Sequence, residues 1–369
     1  MKFSVQCDPL QKALSHVQGV AEKRNTIPIL ANVLLDYREN KLSLAATDME
    51  IEMQESVSAS GSGEGKVTVP ATTLFEIIRK LPADTVEFIQ TQEDGPLKIV
   101  AGNYEATLNS LSAEDFPTIH SENFPHYFEI SGKDLRLLLD RTRFAMSTEE
   151  TRYYLNGIYL HPIEGKLRAV ATDGHRLALT DIPMPNGAAG MPGVIIPRKT
   201  VNELRKILGN SDEIVKVGVS ESRIEFVIDN AILGSKLIDG SFPPYERVIP
   251  KGNTRFLSVD KVKLTTAVGL VSALSQERSR PVKFVLSEDG VILSALSPDR
   301  GDSREELKGE GVSYRGEEME IGFQARYLTD VAEQIEGSLE FSLADNASPA
   351  LIRDPDIENS LFVLMPLRV

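Results

Sequence analysis

Two kinds of apolar pattern alternate along the chain. Short runs such as Lys41–Thr47, Leu167–Thr172 and Val291–Leu296 place apolar side chains at every second position or nearly so, as strands with one buried face do. Segments 8–20, 71–81, 132–144, 197–208, 260–274 and 325–336 instead space them by three and four, the period of amphipathic helices. Strand-like starts at Phe3, Phe128 and Phe256 each lead into the first helix of a set.

The order of elements recurs because the sequence itself recurs. Val67-Thr-Val-Pro-Ala returns as Val194-Ile-Ile-Pro-Arg and, worn, as Ile321-Gly-Phe-Gln-Ala, each time 127 residues on. Leu42-Ser-Leu-Ala-Ala-Thr-Asp48 matches Leu167-Arg-Ala-Val-Ala-Thr-Asp173, and Phe116-Pro117 matches Phe242-Pro243. Anchors kept in order at near-constant spacing define three tandem repeats. Segments 1–124, 125–253 and 254–369 are the expected domains, in keeping with a length of 369 residues. Strands in runs with two helices per repeat predict an α+β module of helices packed on antiparallel sheets.

Composition narrows the setting. The chain is 41% hydrophobic and 25% charged, with no apolar stretch of the roughly 18 residues a membrane span needs. The start Met1-Lys-Phe-Ser-Val5 lacks a signal-peptide run, and the lone Cys7 allows no intrachain disulfide. A cytoplasmic protein with no membrane partner is expected.

The net charge of −14 argues against nucleic acid until its placement is read. The six helical segments (taken as 8–24, 71–81, 132–143, 197–208, 261–280 and 325–336) together carry +8, leaving −22 on strands and loops. In segment 197–208, Arg198, Lys199, Asn202, Arg205 and Lys206 share one helical face, opposite Val201, Leu204, Ile207 and Leu208. If the helices share one side of the sheets, that side attracts a polyanion and the other repels it. The basic stripe is expected to be solvated and dispensable to the fold.

Catalytic chemistry is hard to assemble from these residues. Gly61-Ser-Gly-Glu-Gly-Lys66 lacks the outer glycine and hydroxyl of a phosphate loop and is expected to be a hairpin turn. The five histidines have no metal-ligand spacing, so neither a metal nor another cofactor is expected. Asp173 and His175 could form half of an acid–base pair in a hydrolase. The first repeat has Thr47-Asp-Met-Glu50 there, without histidine, which favours a turn role for the Thr-Asp pair. A protein-only scaffold is the other alternative to nucleic-acid binding.

Arg152-Tyr-Tyr-Leu-Asn-Gly157, Val170-Ala-Thr-Asp-Gly-His-Arg-Leu-Ala178, Ser235-Lys-Leu-Ile-Asp-Gly-Ser-Phe-Pro243, Met319-Glu-Ile-Gly-Phe323 and Met365-Pro-Leu-Arg-Val369 closely resemble the bacterial DNA polymerase III β subunit family over the full length. The resemblance implies a non-catalytic DNA clamp: a head-to-tail homodimeric ring around duplex DNA, helices lining the hole. Its implied partners are DNA without sequence preference, the replicative polymerase α subunit, the clamp loader, and other polymerases and repair proteins that dock through short peptides. On the DNA side it implies Arg24, Arg152, Tyr153, Tyr154, Arg198 and Lys199, joined by Arg205 and Lys206 from the basic stripe. The acidic loop Ser147-Thr-Glu-Glu150 departs from the family's polar residues, so no DNA contact is expected from Glu149. For the peptide pocket the resemblance implies Leu155, Thr172, Gly174, His175, Arg176, Leu177, Pro243, Arg247 and Val248. The C-terminal Val363, Leu364, Met365, Pro366, Leu367 and Arg368 would form its other wall, with Arg176 and Arg247 at the rim.

Overall fold

A computed structural model of the chain describes residues 1–22, 26–117, 123–209, 213–274 and 281–368. The first repeat runs β1 (Lys2–Gln6), α1 (Cys7–Val20), β2 (Asn32–Arg38), β3 (Lys41–Thr47), β4 (Ile51–Ser62), β5 (Gly65–Pro70), α2 (Ala71–Lys80), β6 (Thr85–Ile89), β7 (Leu97–Ala101) and β8 (Tyr104–Leu108). The second runs β9 (His126–Ser131), α3 (Gly132–Asp140), β10 (Gly157–Ile163), β11 (Lys166–Thr172), β12 (Arg176–Pro183), β13 (Val194–Pro197), α4 (Arg198–Ile207), β14 (Ile214–Val219), β15 (Arg223–Ile228) and β16 (Ala231–Lys236). The third runs β17 (Arg255–Asp260), α5 (Lys261–Ser272), β18 (Pro281–Ser287), β19 (Gly290–Ser297), β20 (Gly301–Leu307), β21 (Val312–Arg315), β22 (Met319–Gln324), α6 (Ala325–Ala332), β23 (Ser338–Leu343), β24 (Ala350–Asp354) and β25 (Ile357–Leu364).

Helical spacing explains the helices. Leu10, Ala13, Leu14 and Val17 of α1 are buried, as are Leu264, Ala267, Val268 and Val271 of α5. Both sets follow the i, i+3, i+4, i+7 pattern of a helix lying on a sheet. α1 packs beside α2 over β1, β3 and β4, and α5 packs beside α6 over β17 to β20. Asp260 caps α5 by accepting from the Lys263 amide at 2.9 Å. Two predicted helices are shorter than their apolar pattern: α3 stops at Asp140 before a 3-10 turn at Arg143–Ala145, and α6 stops at Ala332.

Strand pairing ignores the repeat boundaries. One compact unit holds residues 1–136, 185–192 and 199–237; the other holds 137–184, 193–198 and 238–369. In the first unit a sheet runs β8-β7-β6-β1-β4-β16-β15-β14-β9, with β3, β2 and β5 branching from β4. In the second, β13-β10-β11-β12-β25-β24-β23-β17-β21 form one sheet and β20-β19-β18-β22 another. The second repeat is thus divided: β16 pairs with β4 of the first repeat, and β12 with β25 of the third, all antiparallel.

The Gly61–Lys66 segment is not a hairpin, contrary to expectation. It joins β4 to β5, but the two strands do not pair: β4 ends against β1, and β5 lies on β2. Gly61 is required by that crossing, since a Cβ there would sit 2.5 Å from Phe3 Cα.

Candidate partner-binding site and nucleic-acid interface

Within the second unit, β10, β11, β12 and β25 lie side by side, and β24 flanks β25. Register places Val170 opposite Leu179, Leu177 opposite Val363, and Leu351 opposite Val363. Because strand side chains alternate faces, these apolar residues gather on one side. With Tyr245 they form a buried cluster, against which the half-buried Tyr159, Phe242, Ile249 and Leu361 pack. Tyr159 and Phe242 stack at 4.8 Å between centroids. Met365, just past β25, is 41% exposed and Val248, next to Ile249 in the chain, 50%.

Two positions along the same strands, on the same face, lies a polar network. Arg168 grips the Asp181 carboxylate with two nitrogens at 2.6 and 2.8 Å and donates to the Tyr245 hydroxyl at 3.2 Å. His161 Nε2 lies 2.9 Å from the same hydroxyl. Burial pushes the Tyr245 phenol up to about 12 and His161 below its ordinary value.

The loop between β11 and β12 is a capped turn. Thr172 Oγ1 donates to the Arg176 carbonyl at 2.7 Å and accepts from the Gly174 amide at 3.1 Å. Asp173 accepts from the amides of His175 and Arg176 at 2.9 and 3.0 Å. Gly174 has φ +88°, and a Cβ there would lie 2.5 Å from the Arg152 guanidinium. The Asp173 carboxylate is committed to this turn and to Arg176 Nε at 3.0 Å, so it is not free to act as a base for His175.

Of the sequence-derived pocket residues, Leu177 and Val363 form the cluster floor. Met365 and Val248 stand exposed, and Pro243, Pro366 and Leu367 are half-buried; Gly174, His175, Arg247 and Arg368 are exposed. Leu155, at the end of a 3-10 turn, is buried and offers no surface. Arg176 and Leu364 pair with each other across β12 and β25, one position out of phase with Leu177 and Val363, and so face away from the cluster. Arg176 is not a rim residue. Its guanidinium is buried, 2.5 Å from Asp330 Oδ2 and 2.6 Å from the Phe144 carbonyl, with the Tyr327 ring 4.3 Å away. Sequence reasoning missed Tyr159, Phe242, Tyr245, Leu351 and Leu361, although Phe242 already served as a repeat anchor.

The backbone of Met365 donates to the His175 carbonyl at 2.9 Å, and that of Leu367 to Gly322 on β22 at 2.8 Å. The C-terminal segment is therefore tied to the loop between β11 and β12 and to β22.

The expected DNA-side residues divide. Arg24 lies outside the described residues. Tyr153 is 53% exposed, with Tyr154 edge-on at 5.8 Å. Arg152 binds the Glu149 carboxylate with two nitrogens, at 2.9 and 2.6 Å, which pulls the Glu149 pKa down. Glu149 thus serves to hold Arg152.

Val201 and Leu204 of α4, and Leu208 just past its end, are buried as the helical pattern requires, and Lys206 is exposed beside Glu203 at 2.8 Å. Arg205 is half-buried. Arg198 donates to the carbonyls of Met146, at 3.2 Å, and Ser147, while Lys199 meets Asp48 at 2.5 Å and the Val20 carbonyl at 3.1 Å. Half of the stripe is therefore built into the fold rather than solvated, because the helix N-terminus docks on flanking loops.

Three repeats of one α+β module, a basic helix, a half-exposed apolar patch and a histidine loop spent on turn-making define a clamp-type docking protein rather than an enzyme. Family models for the DNA polymerase III beta subunit match residues 1–120 (N-terminal domain), 129–244 (central domain) and 246–368 (C-terminal domain). The "Beta sliding clamp" of Caulobacter vibrioides is 46% identical over 375 residues, and that of Pseudomonas aeruginosa 38% over 371, each with full coverage of both chains. A solved sliding clamp (DNA polymerase III subunit beta) from Bartonella birtlesii, bound to griselimycin, matches with 43% identity, full coverage of both chains and a TM-score of 0.96. The chain belongs to the DNA polymerase III beta subunit family, and its function is that of a DNA sliding clamp, a non-catalytic factor in replication processivity. No helix among the described residues is long and apolar enough to cross a membrane.

Proposed function

We propose that the apolar patch over Leu177, Leu351 and Val363 is where polymerase, clamp loader and repair proteins dock, each through a short peptide with Leu or Phe anchors. The single observation carrying this reading is the half-exposed apolar surface of Tyr159, Phe242, Ile249 and Leu361 on a buried floor. A buried anchor is worth roughly 1.5–3 kcal/mol by area. Met365→Asp should cut the affinity of an apolar clamp-binding peptide at least roughly tenfold, one unsatisfied anchor's worth, measured by calorimetry. Met365 is exposed, so the melting temperature should stay unchanged; unchanged peptide affinity would place the site elsewhere.

The chain, in segments 1–124, 125–253 and 254–369, pairs head to tail as a homodimer that closes around duplex DNA in the cytoplasm. The edge strands support this: β8 of the first repeat and β20 of the third each end a sheet among the described residues, and unpaired edges invite a second chain. Phosphate contacts from Arg152, next to Tyr153 and Tyr154 in the chain, and from Arg205 and Lys206 carry no sequence information, so the ring slides. Retention on closed circular DNA and loss from linear DNA tests the encirclement.

A further inference from the structure

The first unit contains the same set of strand registers that builds the apolar patch of the second unit. Leu34 faces Ala45 as Tyr159 faces Val170, and Ala45 faces Gln54 as Val170 faces Leu179. Glu52 faces Gly234 as Leu177 faces Val363, and Glu225 faces Gly234 as Leu351 faces Val363. Even the loop tie recurs: the Lys236 amide donates to the Glu50 carbonyl at 2.8 Å, as Met365 does to His175 at 2.9 Å.

The side chains at these matching positions differ in kind. Leu177, Leu179 and Leu351 correspond to Glu52, Gln54 and Glu225, and Val363 to Gly234. Lost apolar bulk leaves a cavity of about 680 Å³ with an apolar side at Leu34, Ala45, Phe116 and Ile232. Its polar side is acidic. Asp36 is paired with Arg38 at 2.8 Å and Lys66 at 3.3 Å, and Glu52 with Arg223. Glu225, half-buried, has no hydrogen-bond or ion-pair partner among the described residues, and Glu114 stands exposed at the lining. An added Cβ at Gly234 would lie 2.7 Å from Glu52 Oε1, so the Glu52 carboxylate leans over this glycine toward the Glu225 strand. Burial and the Glu52 charge push the Glu225 pKa up, a cost that an arriving cation would relieve.

We propose that this cavity is a second docking site on the clamp, for a short partner peptide that presents an apolar side chain next to an arginine or lysine. The apolar group would cover Phe116 and Ile232, and the cation would pair with Glu225. The volume suits two or three side chains, and the carboxylates exclude acidic peptides and nucleic acid. This reading stands on the first unit's own geometry and does not depend on the apolar patch being a peptide site.

The test uses the full-length chain and an array of nine-residue peptides, each with one Leu or Phe beside one Arg, and a matched set with Glu in place of Arg. Arg-containing peptides should still bind Met365→Asp, the background in which the apolar patch is disabled and the Glu225 variants are compared. They should bind Glu225→Arg at least roughly tenfold more weakly and Glu225→Gln a few-fold more weakly, as expected for losing a close charge pair. The Gln variant, nearly isosteric, keeps the test valid if the reversal unfolds the chain. Binding that ignores Glu225→Arg and Glu225→Gln, that disappears in Met365→Asp, that is equal for the Arg and Glu sets, or that is absent at about 1 mM peptide would overturn the proposal. Failure of the apolar-patch reading looks different: apolar peptides would then be indifferent to Met365→Asp.

Discussion

Tyr245 and His161 are held in their neutral forms by the protein around them, and that has a measurable signature. The Tyr245 phenol is pushed up to about 12 from 10, so the fold favours its protonated state. A raised value contributes stability that is whole below pH 10 and is lost as pH rises toward 12. His161 is lowered from 6.5, so its contribution is whole above that pH and is lost as pH falls. Chemical denaturation across pH should therefore show the second unit most stable between these limits, with Tyr245→Phe reducing the alkaline fall, the rest of which belongs to Tyr159, Tyr314 and Tyr327, also raised by burial. Arg176 makes a second residue-scale case. Its guanidinium satisfies Asp173, Asp330 and the Phe144 carbonyl at once. Arg176→Ala should destabilise by about 3 kcal/mol, because carboxylates are left uncompensated. Arg176→Lys should not rescue it, lacking the planar fork; urea denaturation gives both values.

At the scale of elements, helices and most strands were legible, because apolar period alone separates α1 and α5 from β3 or β11. The patch was half legible. Leu177 and Val363 could be named, but Arg176 and Leu364 were drawn in with them, because adjacent residues in one motif look alike until pairing assigns their faces. Leu351 and Tyr245 were invisible, as only register across β24 and β25 and the packing behind them bring them in. The N-terminal half of the basic stripe on α4 was misjudged for a similar reason: nothing local reveals that Asp48 waits for Lys199. Arg198 and Lys199 should therefore resist substitution, while Arg205→Gln with Lys206→Gln, which still offers the buried Glu203 carboxylate a neutral donor, should lower the melting temperature less than Lys199→Gln does. The double variant should weaken DNA association and flatten its log–log salt dependence by roughly two contacts, as read by anisotropy at several salt concentrations.

For the whole molecule, the edges matter most. Leu270 is 58% exposed on α5, the helix that packs against the edge strand β20. Leu270→Glu should shift the chain from dimer to monomer in light scattering while its far-ultraviolet dichroism is unchanged, since no buried group is altered.

The splitting of the second repeat between two sheets bears on how such a protein could have grown. Excising residues 125–253 would strip β16 from β4 and β12 from β25, leaving two raw hydrogen-bonding borders on what remained. A lone repeat is in that sense an unfinished surface whose cheapest remedy is another copy of itself. Duplication in this lineage would have been rewarded at the level of backbone amides before any partner protein existed to select for it.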